Sequence, residues 1–361
     1  MLYDPAYLES HIGGLNTLDM PYVNNQTVEE AREFIAAYGF DVESEKDLEK
    51  LWGYHRKAVT YIQTDLLHNG ESIPQALVDQ EEIGDICNIL IYASTKGHQY
   101  QGWACGILKV MHAFAHLDKD LFSFYAKEIQ DQILKPIQSQ IHDDAVMGTT
   151  LGSLMGEGSI HLNRFEVKPF KTTNSSITKL LAKPELVTFS LTDKLGVRFV
   201  TKHLIDVFRV LRYLMEKNIV CFPHNISDQS NNTLYPLNLF FEVVESLPRD
   251  HELGCEELDK LLYERLEKAA ERAEFREKTN IFTSNDYRFI KFITRRLIRV
   301  ENPDLSFFYP YEVQIVDYET YLKNMSGEAS HDKYKERQVR RARARILGFK
   351  SGTTEENTLH S

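Results

Sequence analysis

Cysteine, glycine and proline are all scarce in this chain. Its 361 residues hold four Cys, 18 Gly and 11 Pro, which excludes a disulfide scaffold, a collagen-like repeat and a low-complexity chain. The cysteines Cys87, Cys105, Cys221 and Cys255 form no C-x-x-C pair. That spacing fits buried thiols in a reducing compartment better than zinc or disulfides. Long apolar runs are missing too: the most apolar stretch, Ile86 to Ala115, is interrupted by Lys96, His98, Gln99, Gln101 and Lys109. A membrane span needs about 18 uninterrupted apolar residues, so none is expected. The opening MLYDPAYLES has neither the basic start nor the apolar run of a secretory signal, and a cytoplasmic protein is expected. No P-loop and no H-E-x-x-H zinc motif occurs, which disfavours a Walker-type ATPase and a zinc protease.

What is present is the composition of a folded chain, with 42% hydrophobic residues and 53 Asp+Glu against 42 Lys+Arg. The net charge of −11 disfavours indiscriminate nucleic-acid binding. One segment runs the other way: from His331 to Lys350 there are eight Lys or Arg against Asp332 and Glu336. The RQVRRARAR stretch within it reads as the exposed face of a terminal helix matched to acidic neighbours, or as an RNA contact.

The first 150 residues read as helices. Thr27-x-x-Glu30 is a capping-box pattern before Ala31, Phe34 and Ile35, and Ser44 precedes a longer run with Leu48, Leu51, Trp52, Ala58 and Val59 near one face. Helical periodicity continues near Asp79–Ser94, Trp103–His116 and Phe122–Ile141. Gly148, Gly152, Gly156 and Gly158 then mark a loop and a domain boundary. Beyond residue 160 short β-branched and aromatic runs alternate with helices. Lys194–Thr201, Leu237–Val244, Arg295–Val300 and Tyr311–Val316 read as strands. His203–Lys217, Glu256–Lys278 and a final segment from about Tyr318 to Arg345 read as helices. The fold class expected is α+β: a helical domain over 1–150, a mixed-sheet domain flanked by helices over 160–350, and a disordered tail over 351–361.

In Glu312-Val313-Gln314-Ile315 the strand period puts Glu312 and Gln314 on one face and two apolar residues on the other. Alternation alone favours an amphipathic strand with a solvated Glu over a carboxylate aimed into a cleft, because half-polar strands are common. Nineteen residues after that Glu comes His331, in Gly327-Glu328-Ala329-Ser330-His331-Asp332-Lys333-Tyr334-Lys335. The pair of segments resembles the end of the RelA/SpoT-type alarmone synthetase domain. Asp193-Lys194-Leu195-Gly196-Val197-Arg198 resembles that family's D-x-x-G-x-R strand entry. Lys171, Ser175-Ser176-Ile177 and Lys179 resemble its phosphate-binding segment, with one residue inserted. The resemblance covers about residues 165–336.

The resemblance implies a nucleotidyltransferase-like fold and Mg²⁺-dependent transfer of pyrophosphate from ATP to the ribose 3′-hydroxyl of GDP or GTP, the chemistry of guanosine tetraphosphate metabolism. It implies that Asp193 and Glu312 hold the metal, with Glu312 also activating the hydroxyl. Lys171, Ser176, Lys179, Arg198, Gln314, His331 and Lys335 would contact nucleotide. Each has an ordinary reading beside this one. Asp193 suits a turn, Lys171 and Lys179 suit solvent, and His331 and Tyr334 suit helix packing. Arg198, inside the apolar strand GVRFV, needs a ligand or a carboxylate.

Two departures stand out. The family's EVQI usually continues Arg-Thr, where this chain has Val316-Asp317. The family's guanine-stacking N-G-Y-x-S-x-H is absent, and its nearest counterpart is Asn231-Asn232-Thr233-Leu234-Tyr235-Pro236, which makes Tyr235 the candidate base-stacking ring. Transfer to tRNA, through the basic terminal helix, and a non-catalytic nucleotide-binding module are therefore kept as rivals. His112, His116, Asp118 and the His142-Asp143 dipeptide resemble the metal ligands of an HD phosphohydrolase, but such pairs arise readily by chance and ordinary core or surface histidines are the preferred reading.

Overall fold

A computed structural model of the chain describes residues 8–118, 121–146, 148–153, 158–168, 173–184, 192–247, 253–269, 273–276, 287–326 and 331–348. Lys171, residues 327–330 of the His331 motif and the tail 351–361 lie outside them. Architecture is mixed α+β, with many helices and one seven-stranded mixed sheet. The chain divides into two compact units that are not consecutive halves. One takes residues 1–123, 172–191 and 335–361, and the other takes 124–171 and 192–334. The division expected near residue 150 is thereby replaced by an interleaved one.

In the helical unit, Thr27 and Glu30 complete the capping box of the helix Val28–Tyr38. Ser44 stands at the N-cap of Glu45–Tyr61, which buries Leu51, Trp52, Tyr54, Ala58 and Val59 as its period requires. The apolar run near residues 79–94 breaks in two, because Gly84 ends the single turn Gln80–Ile83 with a positive φ of 69° before Cys87–Ser94 begins. The helices Cys87–Ser94 and Thr173–Ala182 both pack on Gln101–Asp118. The terminal helix His331–Leu347 enters this unit from Lys335 onward.

In the sheet unit the strands are β1 Ile141–Asp144, β2 Gly148–Leu151, β3 Ile160–Lys168, β4 Gly196–Thr201, β5 Asn225–Asn232, β6 Ile290–Val300 and β7 Leu305–Asp317. Their order is β1-β2-β3-β4-β7-β6-β5, and the β4–β7 pair is parallel while its neighbours run antiparallel. The glycine-rich segment expected as a loop thus contributes β2, with Gly148 opening a hairpin from β1 at a φ of 75°.

The core lies on the face carrying Val197, Phe199, Val313 and Ile315, all fully buried. Helix Leu204–Glu216 packs on β3, β4 and β7 and buries Leu204, Val207, Phe208, Val210 and Leu214.

Three sequence expectations change here. Leu237–Val244 is part of a helix, Leu237–Ser246, not a strand, since its inward residues are Leu239 and Val243, one helical turn apart. The charged helix stops earlier, at Cys255–Lys268. The segment after Tyr318 forms two helices rather than one. The first, Tyr318–Asn324, ends where the Asn324 amide is drawn onto the backbone of Arg288, accepting from its N–H at 3.0 Å and donating to its carbonyl at 2.7 Å. Among the described residues no helix is long and apolar enough to cross a membrane. Cys87 and Cys105 are buried, as expected, but Cys221 is exposed.

Candidate functional site

Four adjacent strands align two rows of residues. Lys168 on β3 pairs Gly196 on β4, which pairs Glu312 on β7, which pairs Ile293 on β6. Two residues along, the row reads Glu166, Arg198, Gln314, Lys291. Because strand side chains alternate, these residues share one face, opposite the apolar core face. It is a polar face built into the middle of a sheet.

Glu312 is its centre, with only 4% of its surface exposed. Its Oε1 accepts a hydrogen bond from the Lys168 ammonium, and its Oε2 lies 3.4 Å from that of Lys291. Gly196 makes the first contact possible. A Cβ there would stand 3.2 Å from the Glu312 Cβ, the Glu312 carbonyl and the Lys168 Cδ, so a side chain would wedge the pair apart. The Glu312 N–H donates to the Leu195 carbonyl at 2.9 Å, which fixes the strand where the chain leaves Asp193. Asp193 is near enough for its charge to act on both Glu312 and Lys291.

Burial by itself would raise the carboxyl pKa of Glu312. The charges of Lys168 and Lys291 outweigh burial and the repulsion of Asp193, holding it down at about 2. Lys291 is affected by the same groups with opposite sign: burial opposes its charge, while Glu312 and Asp193 prevail and raise its pKa. For Lys168 burial prevails, reinforced by Arg198 and Lys291, and its pKa is lowered despite Glu312.

Beside this centre Arg198 is fully engaged, as a charged residue in an apolar strand must be. Its Nε donates to Gln314 Oε1 at 3.0 Å and its Nη1 to Glu166 at 3.0 Å. Its guanidinium also lies 5.8 Å from the ring centre of Tyr321, as does that of Arg164. The Tyr321 hydroxyl donates to Glu166 at 2.9 Å and accepts from Arg164 at 3.2 Å. Gln314 donates in turn to the Tyr287 hydroxyl at 3.3 Å.

The structure therefore brings Asp193, Arg198, Glu312 and Gln314 into one neighbourhood from two segments far apart in sequence. One expected nucleotide contact falls elsewhere. Tyr235 is a core residue, fully buried, donating its hydroxyl to the Leu262 carbonyl at 2.9 Å and meeting Phe208 edge-on. Its ring has no free face for a base, which corrects the stacking expectation. Its loop is held instead by Asn232, whose Oδ1 accepts from the N–H groups of Leu234 and Tyr235 at 3.2 Å. Ser176 and Lys179 belong to the helix Thr173–Ala182 of the helical unit, Ser176 being buried. Lys335 is exposed and counts with that unit. His331 opens the terminal helix, and its side chain lies outside the described residues.

The residues of the second candidate site in the helical unit have protein partners. His112 Nδ1 is 2.8 Å from the Tyr38 hydroxyl, its ring packs 4.3 Å from that of His116, and Asp118 accepts from Tyr54 at 2.9 Å. His142 and Asp143 lie on β1 of the other unit. Among the described residues no group of three or more His, Cys, Asp or Glu could hold a metal ion. Two arginines of the basic stretch are also occupied. Arg343 makes a two-pronged bond to Glu71 at 2.6 Å, and Arg345 clamps Asp19.

Sequence reading missed Lys168, Lys291, Glu166 and Tyr321. A period-two signal was available for two of them: Arg164, Glu166 and Lys168 alternate along β3. Nothing local distinguishes Lys291 from the other cations of β6.

No family model and no curated protein matches the chain. Among solved structures it is similar to a GTP pyrophosphokinase family protein from Streptococcus pneumoniae, at 13% identity and a TM-score of 0.27, over 62% of this chain and 87% of that one. It is also similar to small alarmone synthetase 2 from Bacillus subtilis, at 12% identity and a TM-score of 0.25, over 63% of this chain and 93% of that one. Similarity of that size fixes neither fold nor function.

Proposed function

We infer that the polar face around Glu312 is the active site of a pyrophosphate transfer from ATP to the 3′-hydroxyl of a guanine nucleotide. One observation carries the reading. The two segments with the resemblance, Asp193–Arg198 and Glu312–Ile315, pair in register on the parallel strands β4 and β7, Gly196 opposite Glu312 and Arg198 opposite Gln314. Residues that would have to cooperate in such chemistry are thereby neighbours.

Asp193 and Glu312 offer a pair of hard oxygen donors, and one or two carboxylates plus substrate phosphates is the usual way Mg²⁺ is held. Bound there, Mg²⁺ would neutralise phosphate charge and orient the transferring group. The rest falls to the chain's own cations. Lys168, Lys291 and Arg198 hold their carboxylate partners ionised and stand ready to exchange those partners for phosphate oxygens, so that stabilisation is electrostatic and pre-positioned.

Glu312, held at about 2, is a poor proton acceptor while both lysines stay on it. Its part in this reading is to bind cations. It gains basicity only as Lys168 and Lys291 move toward a triphosphate. The occupied state of Arg343 and Arg345 removes support from the RNA-acceptor rival.

The test is a labelled-ATP transfer assay with Mg²⁺ and GDP, GTP or bulk tRNA offered separately, run beside Asp193→Asn. Label on a guanine nucleotide, lost in a folded Asp193→Asn protein, is the expected result. Full activity in that variant would sink the assignment of Asp193. Label on tRNA alone would move the reaction to an RNA acceptor, and ATP binding without transfer to any acceptor would make the chain a nucleotide-binding module.

A further inference from the structure

The helical unit contains a cavity of about 240 Å³ that the proposed chemistry leaves unused. Leu18, Phe34, Ile35, Leu51, Ile89 and Met111 give it an apolar wall. The polar side chains that reach it are mostly committed elsewhere. Tyr38 and His112 bond each other at 2.8 Å, Tyr54 donates to Asp118, and the Cys105 thiol faces the Pro21 and Ala93 carbonyls.

Lys109 differs. Among the described residues it has no ion-pair partner within bonding distance, although it lines an apolar cavity. The carboxylate whose charge reaches it, Asp19, is already bound through both oxygens by Arg345. Burial lowers the Lys109 pKa, as expected of an ammonium whose hydration is reduced without full compensation. Among the described residues no carboxylate lines the cavity itself.

We propose that this cavity binds a small apolar carboxylate, its hydrocarbon body against the leucine, isoleucine and phenylalanine wall and its carboxylate on Lys109. Size follows by proportion: an apolar cavity of about 150 Å³ takes benzene, so this one takes a body of about ten non-hydrogen atoms. A hydrocarbon or an alcohol of that size would fill the space and leave Lys109 uncompensated. An amine would be repelled by it, and a nucleotide would bury polar groups against a wall with few partners.

Octanoate has the right size and charge, and octanol is its neutral counterpart. Calorimetric titration of octanoate into the full chain should give one saturable site, with a matching rise in melting temperature because the ligand binds the folded state. Lys109→Met should weaken octanoate at least tenfold and leave octanol unchanged, while Ala115→Leu, which fills the cavity, should abolish both. Should Ala115→Leu fail to fold, the Lys109→Met comparison decides by itself. The proposal is overturned by unsaturable octanoate binding, by equal binding to Lys109→Met, or by octanol binding as tightly as octanoate.

Discussion

Lys168 and Glu312 meet across a residue with no side chain. They sit on strands separated by β4, and the bare backbone of Gly196 between them is what lets the ammonium reach the carboxylate. A buried carboxylate needs such a partner, because desolvation of the unpaired charge costs several kcal/mol. The charge pair therefore depends on a glycine chosen for close approach rather than for backbone conformation.

Gly196→Ala should show this directly. The new Cβ would be 3.2 Å from both side chains, so one must give way. A loss of about 1–3 kcal/mol is expected from overpacking. Urea unfolding measures it, and Gly196→Ala should cost less in a Lys168→Ala background, where the Lys168 Cδ is gone, than in the parent. A Gly196→Ala protein as stable as the parent would refute the steric argument.

Glu312 also sets a pH dependence. Its pKa falls from 4.5 to about 2 on folding, so the unfolded chain binds the proton more readily. The stability it contributes is complete above about pH 4.5 and is lost as pH falls from there through 2. Urea midpoints measured across that window should drop more steeply in the parent than in Glu312→Gln. At neutral pH the variant should be less stable by about 2–3 kcal/mol, since two ammonium groups then face a neutral amide. Parallel pH profiles would contradict the depressed pKa.

Tyr235→Phe tests the core hydrogen bond, and Tyr235→Leu tests base stacking. The first change removes one hydrogen bond to the Leu262 carbonyl and keeps the ring, so stability should fall by about 1 kcal/mol. Nucleotide affinity, followed by titration with ATP and with GDP, should not move in folded Tyr235→Leu, which removes the ring a base would stack on. An affinity loss in that folded variant would restore Tyr235 to the binding site.

The two paired arginines of the terminal helix should behave differently. Arg345 is 7% exposed, clamps Asp19 and donates to the Leu180 and Leu181 carbonyls at 3.3 and 3.0 Å, capping the end of the helix Thr173–Ala182. Arg345→Met should cost about 3 kcal/mol. Arg343 pairs with the more exposed Glu71, and Arg343→Met should cost clearly less than Arg345→Met and be reduced further by salt. Thermal melts at low and high ionic strength distinguish the two.

The sequence by itself determined what short windows can encode. The capping box at Thr27–Glu30, the burial stripe of Glu45–Tyr61 and the alternation of Glu312, Val313, Gln314 and Ile315 are local patterns, and each became the element its period implied. The requirement that Arg198 have a partner was legible too, because a guanidinium between Val197 and Phe199 cannot be buried alone.

Only the tertiary structure decided who that partner is. Lys168, Lys291 and Glu166 lie on strands whose register with β4 and β7 is set by long-range pairing, and a one-residue slip would send every one of them to the opposite face. Tyr235 and Leu237–Val244 went astray for the same reason: a loop aromatic and a short apolar run read alike in sequence whether they meet solvent, a ligand or a core. Periodicity says which residues share a face, and it is the packing of distant segments that says what the face touches.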